Sequence, residues 1–321
     1  MGRWLNAGLL APLFLLIPQL VAESSFPTAV PSEIRIASFN VSNYITMPRR
    51  IGGRLRAQAG KPLAERDAVA RSIAAINADA VCLEEVGTPA EFQDLCDRVR
   101  KAGADYPVTE YLSGEDPTRH LALLSRFPVV ERHSAGDVPL RVGSLTLHSP
   151  RGVLDVTLEP RPGYRVRLLG VHLKAKLEVP DYDGTALREA EAGWLRGHVR
   201  EILTRDPESR LVVTGDFNDT WNSRTIRGIT GDPGKPDSLK ALPLTDDRGE
   251  CWTEFWEGAG VYSRIDYVMV SKKLEPELDS ARSGVARFPF WREASDHCPV
   301  VITLNTSGNP TPCATTSPSP R

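Results

Sequence analysis

No charge of either sign predominates in this sequence. Its 39 Lys and Arg stand against 41 Asp and Glu, a net of −2. That excludes a broadly cationic coat for nucleic acid, though not basic residues gathered in one place. Cysteine is scarce, five in 321 residues, far below a disulfide-built scaffold. The spacing of Cys82, Cys96, Cys251, Cys298 and Cys313 is wide and irregular and does not resemble a zinc site. Cys82 and Cys298 fall in apolar, strand-like runs, where cysteine packs as a small hydrophobe; Cys251 with Cys298 is one bridge the order allows. No internal repeat recurs, and no G-x-S-x-G elbow announces a serine nucleophile. Long apolar runs are missing too. The longest, Leu9 to Ile17, is interrupted by Pro12 and bounded by Pro18, short of the roughly 20 residues a spanning helix needs.

What is present is ordinary globular composition, 41% hydrophobic and 25% charged, in a chain long enough to bury a sizeable core. Arg3 ahead of the apolar run and Val21-Ala22 behind it read as a secretory signal peptide, residues 1–22. The mature chain would then be secreted or periplasmic, with no integral membrane span. An uncleaved segment would instead make an envelope-anchored interaction protein. The folded body is expected over 32–304, and the Pro/Ser/Thr-rich stretch 305–321 as a disordered tail.

Apolar alternation predicts strands at 34–39, 80–83, 120–124, 153–158, 166–173, 211–214, 265–270 and 298–304. Helical periodicity predicts helices over 63–78, 89–101 and 185–203. Pro89 sits in a first turn, where its missing N–H costs nothing. Strands outnumber helices, which points to an α/β or α+β fold with substantial sheet.

Polar groups stand at the ends of these apolar strands: Asn40, Glu84 and Glu85, His172, Asp216 and Asn218, Asp266, then Asp296 and His297. Acids there are costly unless paired or metal-bound. Carboxylate and amide oxygens suit Mg²⁺, Mn²⁺ or Ca²⁺. A phosphoester needs such a cation to neutralise its charge, and a base for water such as His beside Asp. With no nucleophile setting in view, direct attack by water is the expected route.

The ordered motifs SFN, LEEV, LLSRFPV, VHLK, GDFN, RIDYV and SDHCPV, spanning Ile34 to Val301, resemble the endonuclease/exonuclease/phosphatase superfamily. That group includes pancreatic deoxyribonuclease, abasic-site endonucleases, neutral sphingomyelinases and inositol polyphosphate 5-phosphatases. The resemblance implies a four-layer sandwich of two mixed β-sheets flanked by helices. It also implies roles. Glu85 and Asn40 match the metal-binding pair, and Asp296 a second acid near the metals. Asp216 matches the residue that orients or deprotonates water, and Asn218 the one that holds a phosphate oxygen. His297 matches the histidine on the scissile phosphate, Asp266 its carboxylate partner, and His172 an additional acid–base histidine. Which of Asp216 and His297 takes the proton stays open. Arg151 falls where many members carry a phosphate-facing or structural arginine. One departure is Glu84, where the family usually has Gln. Adjacent strand residues face opposite ways, so one of the pair should enter the site, and the motif register selects Glu85.

The function implied is a Mg²⁺-dependent phosphodiesterase, first of all an endonuclease, acting as a monomer on a phosphoester substrate such as nucleic acid. The basic run Arg49, Arg50, Arg54, Arg56 and Lys61 is either a solvated face or an attractor for an anionic substrate. Trp221, near Asn218, is either a stacking platform or packing. A sphingomyelinase-like lipid phosphodiesterase would call for an exposed apolar hairpin, and none is evident; an inositol-phosphate phosphatase is a third reading. A binding module that kept the fold without activity is the non-enzyme alternative, and all the main site residues being present speaks against it.

Overall fold

A computed structural model describes residues 32–176 and 181–306. The expected leader 1–22 lies outside these residues, as does the expected tail beyond Thr306.

The alternating segments assemble two six-stranded sheets. In spatial order the first runs Gly284–Val285, Val300–Asn305, Glu33–Tyr44, Ala80–Val86, His120–Ser125, Val108–Leu112. The second runs Leu239–Ala241, Asp266–Ser271, Leu211–Asp216, Tyr164–His172, Val153–Arg161, Val129–Arg132. Each sheet is mixed. Glu33–Tyr44 is parallel to Ala80–Val86, and Tyr164–His172 to Leu211–Asp216, while the other neighbours are antiparallel.

Period-two alternation sorts the apolar residues into layers. Ile34, Ile36, Cys82 and Leu121 of the first sheet meet Leu154, Val156, Leu168, Val212 and Val268 of the second in one central core. Their sequence neighbours point outward. Phe39, Val81 and Leu83 pack with Val69 and Ile73 of helix Leu63–Ile76 and Leu95 of helix Pro89–Lys101. Leu169, Val171 and Val213 pack with Leu195 and Val199 of helix Gly184–Arg205. The result is helix, sheet, sheet, helix, the four layers the motifs imply. Each fully buried aliphatic side chain contributes about 1.5–3 kcal/mol.

Element boundaries differ locally, for physical reasons. Helix Pro89–Lys101 starts where expected, with a Thr88/Glu91 capping box. Helix Leu63–Ile76 stops short of 78 because Asn77 takes a left-handed conformation, as Asn readily does. The last strand begins at Val300 rather than Cys298, since Pro299 has no N–H for a ladder. The body also outruns its expected end: Asn305 pairs with Glu33, and the Thr306 amide donates to Ser32 O at 2.8 Å. Cys251 is exposed and Cys298 buried, and both are free thiols, so the bridge the order allowed is not formed.

Three small hairpins escaped the strand reading: Met47–Ile51 with Arg54–Ala59, Pro139–Val142 with Leu145–His148, and Glu254–Trp256 with Val261–Ser263. Their strands are only three to six residues long, too short for alternation to register. Among the described residues no helix is long and apolar enough to cross a membrane.

Candidate active site

Strand register brings the predicted residues together. His172 pairs with Asp216, and Asp216 with Asp266, so three of them form one row across the second sheet. Asn40 pairs with Glu84 on the first sheet. All five share the parity of the central core: Ile34 and Ile36 lead to Asn40, Ala80 and Cys82 to Glu84, Leu168 to His172, Val212 to Asp216, and Val268 to Asp266. The two rows therefore face each other where the sheets end, and Asn40 Nδ2 donates to Asp216 Oδ2 at 3.1 Å across the gap. Gly215 permits this crowding. Its φ is +145°, and a Cβ there would meet the Val171 carbonyl oxygen at 1.9 Å.

His297 enters from the loop before Val300–Asn305. Its Nδ1 lies 2.9 and 3.1 Å from the two oxygens of Asp266, and its Nε2 faces Asp216 Oδ2 at 3.9 Å. The Ser295 hydroxyl fixes this loop by donating to Asn40 O at 2.7 Å and accepting the His297 amide at 3.0 Å. Burial opposes a charged imidazole at His297, yet the adjoining Asp266 and Asp216 override it and hold the ring's pKa well above its ordinary value. Asp216 is pushed up by burial and by the Asp266 charge. His172 is held well down by burial and by the charges of Arg151, His297 and Arg119, so it is neutral. Its Nδ1 is buried without a partner.

The acid pair overturns the alternation argument. Parity places Glu84, not Glu85, on the inner face, where it is fully buried. Glu85 reaches the site only because its φ is +63°, a costly conformation for such a residue. Its Oε2 accepts the Asn43 amide at 2.7 Å, and its Oε1 lies 3.9 Å from His172 Nε2. Glu84 is not solvated either. The Ser38 hydroxyl donates to its Oε1 at 2.6 Å, while Oε2 has no partner. Burial pushes its carboxyl well up, and the Asp266 and Asp216 charges push further. A carboxyl pushed toward its neutral form thus stands where the resemblance places Gln.

The remaining predicted residues fall around this centre. Asn218, at φ +52°, donates from Nδ2 to Leu173 O at 3.0 Å and Asp216 Oδ2 at 3.2 Å. Asp296 is exposed, and lines a cleft with Ser42, Lys61 and Phe255 rather than joining the buried acids. Arg151 is almost fully buried, with one nitrogen 3.2 Å from Asp116 and its Nε and Nη1 unpartnered. It opens, with Lys174 and Tyr182, on a cavity of about 460 Å³. Trp221 is part-exposed, with the Arg264 guanidinium 4.2 Å above its ring.

Sequence reading missed Ser38, Ser295 and Arg119. Arg119 binds Asn43 Oδ1 at 2.9 Å and adds positive charge near His172. Only Ser38 and Ser295, inside the SFN and SDHCPV motifs, carried a signal. The basic run also divides. Lys61 is buried, donating to Val41 O and Ser42 O at 3.2 and 2.8 Å, whereas Arg50, Arg54 and Arg56 are exposed.

A divalent cation fits these donors. Asp216, Asp266 and His297 offer ligand atoms within 4.8 Å of one another, with Glu85 and Asn40 adjacent. The buried acids outnumber the cations beside them, and the raised Asp216 records that imbalance, which a metal would relieve.

The comparisons agree with this geometry. A family model described as "Endonuclease/Exonuclease/phosphatase family" matches residues 37–297. No curated protein matches the chain. Among solved structures, the human Nocturnin catalytic domain is similar at 18% identity and TM-score 0.58, over 85% of this chain and 94% of that one. Truncated TDP2 from Caenorhabditis elegans is similar at 19% identity and TM-score 0.56, over 85% and 98%. Sphingomyelinase C from Streptomyces griseocarneus is similar at 15% identity and TM-score 0.54, over 85% and 99%. At these identities the likeness concerns the fold. The family match, running from Ala37 within the first strand to His297, establishes that this chain belongs to the endonuclease/exonuclease/phosphatase family.

Proposed function

We propose that the protein is a Mg²⁺-dependent phosphodiesterase that cleaves nucleic acid by direct attack of water, an endonuclease in action. The observation that carries the reaction type is the row His172–Asp216–Asp266 facing Asn40 and Glu85, with His297 set against Asp266. Glu85 and Asn40 would hold the metal, with Asp216 beside them. Bound there, the cation supplies charge neutralisation on the phosphate oxygens. Asp266 fixes the His297 ring by its Nδ1 and keeps it cationic, so Nε2 donates to a phosphate oxygen as charge grows in the transition state. Asp216, across from Nε2, takes the proton of the attacking water as the new P–O bond forms and the ester P–O bond breaks. Asn218 binds an oxygen through its amide. His172, kept neutral, serves the leaving oxygen as a hydrogen-bond donor.

Nucleic acid is favoured because Arg151 offers two buried, unpartnered nitrogens beside this centre, and a polynucleotide brings a second phosphate close to the scissile one. Export, read from the apolar run Leu9 to Ile17, suits scavenging of such a polymer. A lipid phosphodiester is the second reading. Hairpin Glu254–Trp256/Val261–Ser263 exposes Trp256, Val261 and Tyr262 at 57, 47 and 49%, an apolar tip the sequence did not disclose.

The test offers supercoiled plasmid, sphingomyelin vesicles and an aryl phosphodiester with Mg²⁺, with Asp216→Ala as control. Nicking of plasmid that disappears with EDTA, and falls by about 10²–10⁴-fold in the variant, is the expected result. Cleavage of the lipid alone overturns the nucleic-acid reading, and full activity in the variant overturns the assignment of Asp216.

A further inference from the structure

The hairpin Met47–Ile51/Arg54–Ala59 stands out electrostatically. Many arginines among the described residues face a carboxylate, as Arg66, Arg98, Arg132, Arg167, Arg196, Arg210 and Arg287 do. Among the described residues Arg50, Arg54 and Arg56 face none, and they are exposed. The register sets Arg49 directly opposite Arg56. Like charges so placed destabilise a ribbon, and no acid lies within Met47–Ala59 to offset them. The turn is Gly52-Gly53, with φ of +57° and +77°, the tight two-residue connection that only such residues adopt freely.

Both ends of the ribbon are strapped to the site. Arg49 donates to Asn43 O at 2.6 Å, and Asn43 in turn donates its amide to Glu85. Lys61, just past the return strand, holds Val41 O and Ser42 O, next to Asn40. The ribbon therefore rises from the rim of the acid cluster.

We infer that this hairpin docks the phosphate backbone of nucleic acid through Arg50, Arg54 and Arg56, outside the cleavage centre; the inference rests on the nucleic-acid reading above. Charge complementarity selects the partner. Two exposed aliphatic residues, Ile51 at 47% and Leu55 at 67%, would suit a membrane if they shared a face. They do not: cross-strand partners share a face, and Ile51 partners Arg54 while Leu55 partners Arg50. Neighbours Arg50 and Ile51 point opposite ways, so neither face is apolar and each aliphatic side chain is flanked by a guanidinium. A two-stranded ribbon fits a duplex groove, and guanidinium forks match phosphate.

The test compares the full chain with Arg50→Gln/Arg54→Gln/Arg56→Gln and with the triple Lys variant, binding a labelled 20-base-pair DNA duplex in EDTA across a salt series. Each lost phosphate contact lowers the slope of log K against log salt by about 0.9. The Gln variant should lose about 2–3 from that slope and bind about tenfold or more weakly near 0.1 M salt, while the Lys variant keeps the slope. Turnover of an aryl phosphodiester with Mg²⁺ should stay within about twofold in both, since the ribbon lies outside the chemistry. An unchanged slope overturns the inference. So does loss of binding to phosphatidylserine vesicles with DNA binding intact, which would make the ribbon a membrane contact. Plasmid cleavage by the wild type is scored separately: duplex that is bound through the ribbon yet never cleaved defeats the nuclease reading and leaves the docking surface standing.

Discussion

Asp155 and Asp266 are both buried on the second sheet, and each holds a histidine: His198 at 2.7 Å and His297 at 2.9 Å. Their surroundings differ. Asp155 also receives two bonds from Arg167, at 2.8 and 2.6 Å. Burial alone would raise its pKa, but His198 and Arg167 outweigh burial and hold it below its ordinary value. Its charge is matched, and it faces helix Gly184–Arg205. Asp266 faces the inter-sheet space instead, beside Asp216 and Glu84, and no arginine among the described residues bonds to it. There burial and the Asp266 charge raise Asp216 and Glu84, while Asp266 and Asp216 drive the histidine up against its burial. The same residue pair is a structural clamp where charges balance, and the proposed reactive centre where negative charge is left unmatched.

The largest effect on stability should come from breaking the balanced pair. Arg167→Ala strands Asp155 with half its partners, and loss of a partner from a buried pair costs about 3–5 kcal/mol. Denaturant unfolding should show that loss, and a shift under 1 kcal/mol would mean that Arg167 does not stabilise the buried Asp155. Next comes metal. Because acids outnumber cations in the second cluster, Mg²⁺ at about 100 times its Kd should stabilise the wild type by about 2.7 kcal/mol. Glu85→Gln should abolish most of that shift, and thermal unfolding with and without EDTA measures it.

A smaller effect separates the two aspartates by pH. The folded pKa of Asp155 lies below its unfolded value. Its contribution is therefore present above the unfolded carboxyl range, about pH 3.9, and is lost as pH falls through the folded value. Asp155→Asn should flatten that acid limb of the stability curve; an unaltered limb would place the acid sensitivity elsewhere. The smallest effect belongs to Glu84→Gln. The amide keeps the Ser38 hydrogen bond, and burial already disfavours a charged carboxylate there, so aryl-diester turnover should remain within about threefold. A loss of a hundredfold would show that Glu84 acts as an anion.

Much of this was legible beforehand. Strand alternation gave the layers away, because the central strands carry apolar residues on both faces, and Asn40, His172 and Asp216 stand where three of them reach the site. Motif order located His297, Asp216 and Asp266 without any knowledge of register. What stayed hidden depends on backbone and partners. The positive φ of Glu85 defeats strict alternation, although Ala80-Cys82-Glu84 parity already pointed Glu84 inward. Lys61 looked like one more surface cation because nothing local announces that Val41 and Ser42 need a donor. The hairpin strands are too short for periodicity to find, and their exposed tips appear only once the strands are paired.

The most direct measurement sets the two histidines against each other: kcat/KM for an aryl phosphodiester in Mg²⁺, for His297→Ala and His198→Ala, each checked for folding. The account predicts a fall of about 10²–10⁴-fold for His297→Ala and less than about threefold for His198→Ala. Comparable losses in both, or full activity without His297, would contradict it.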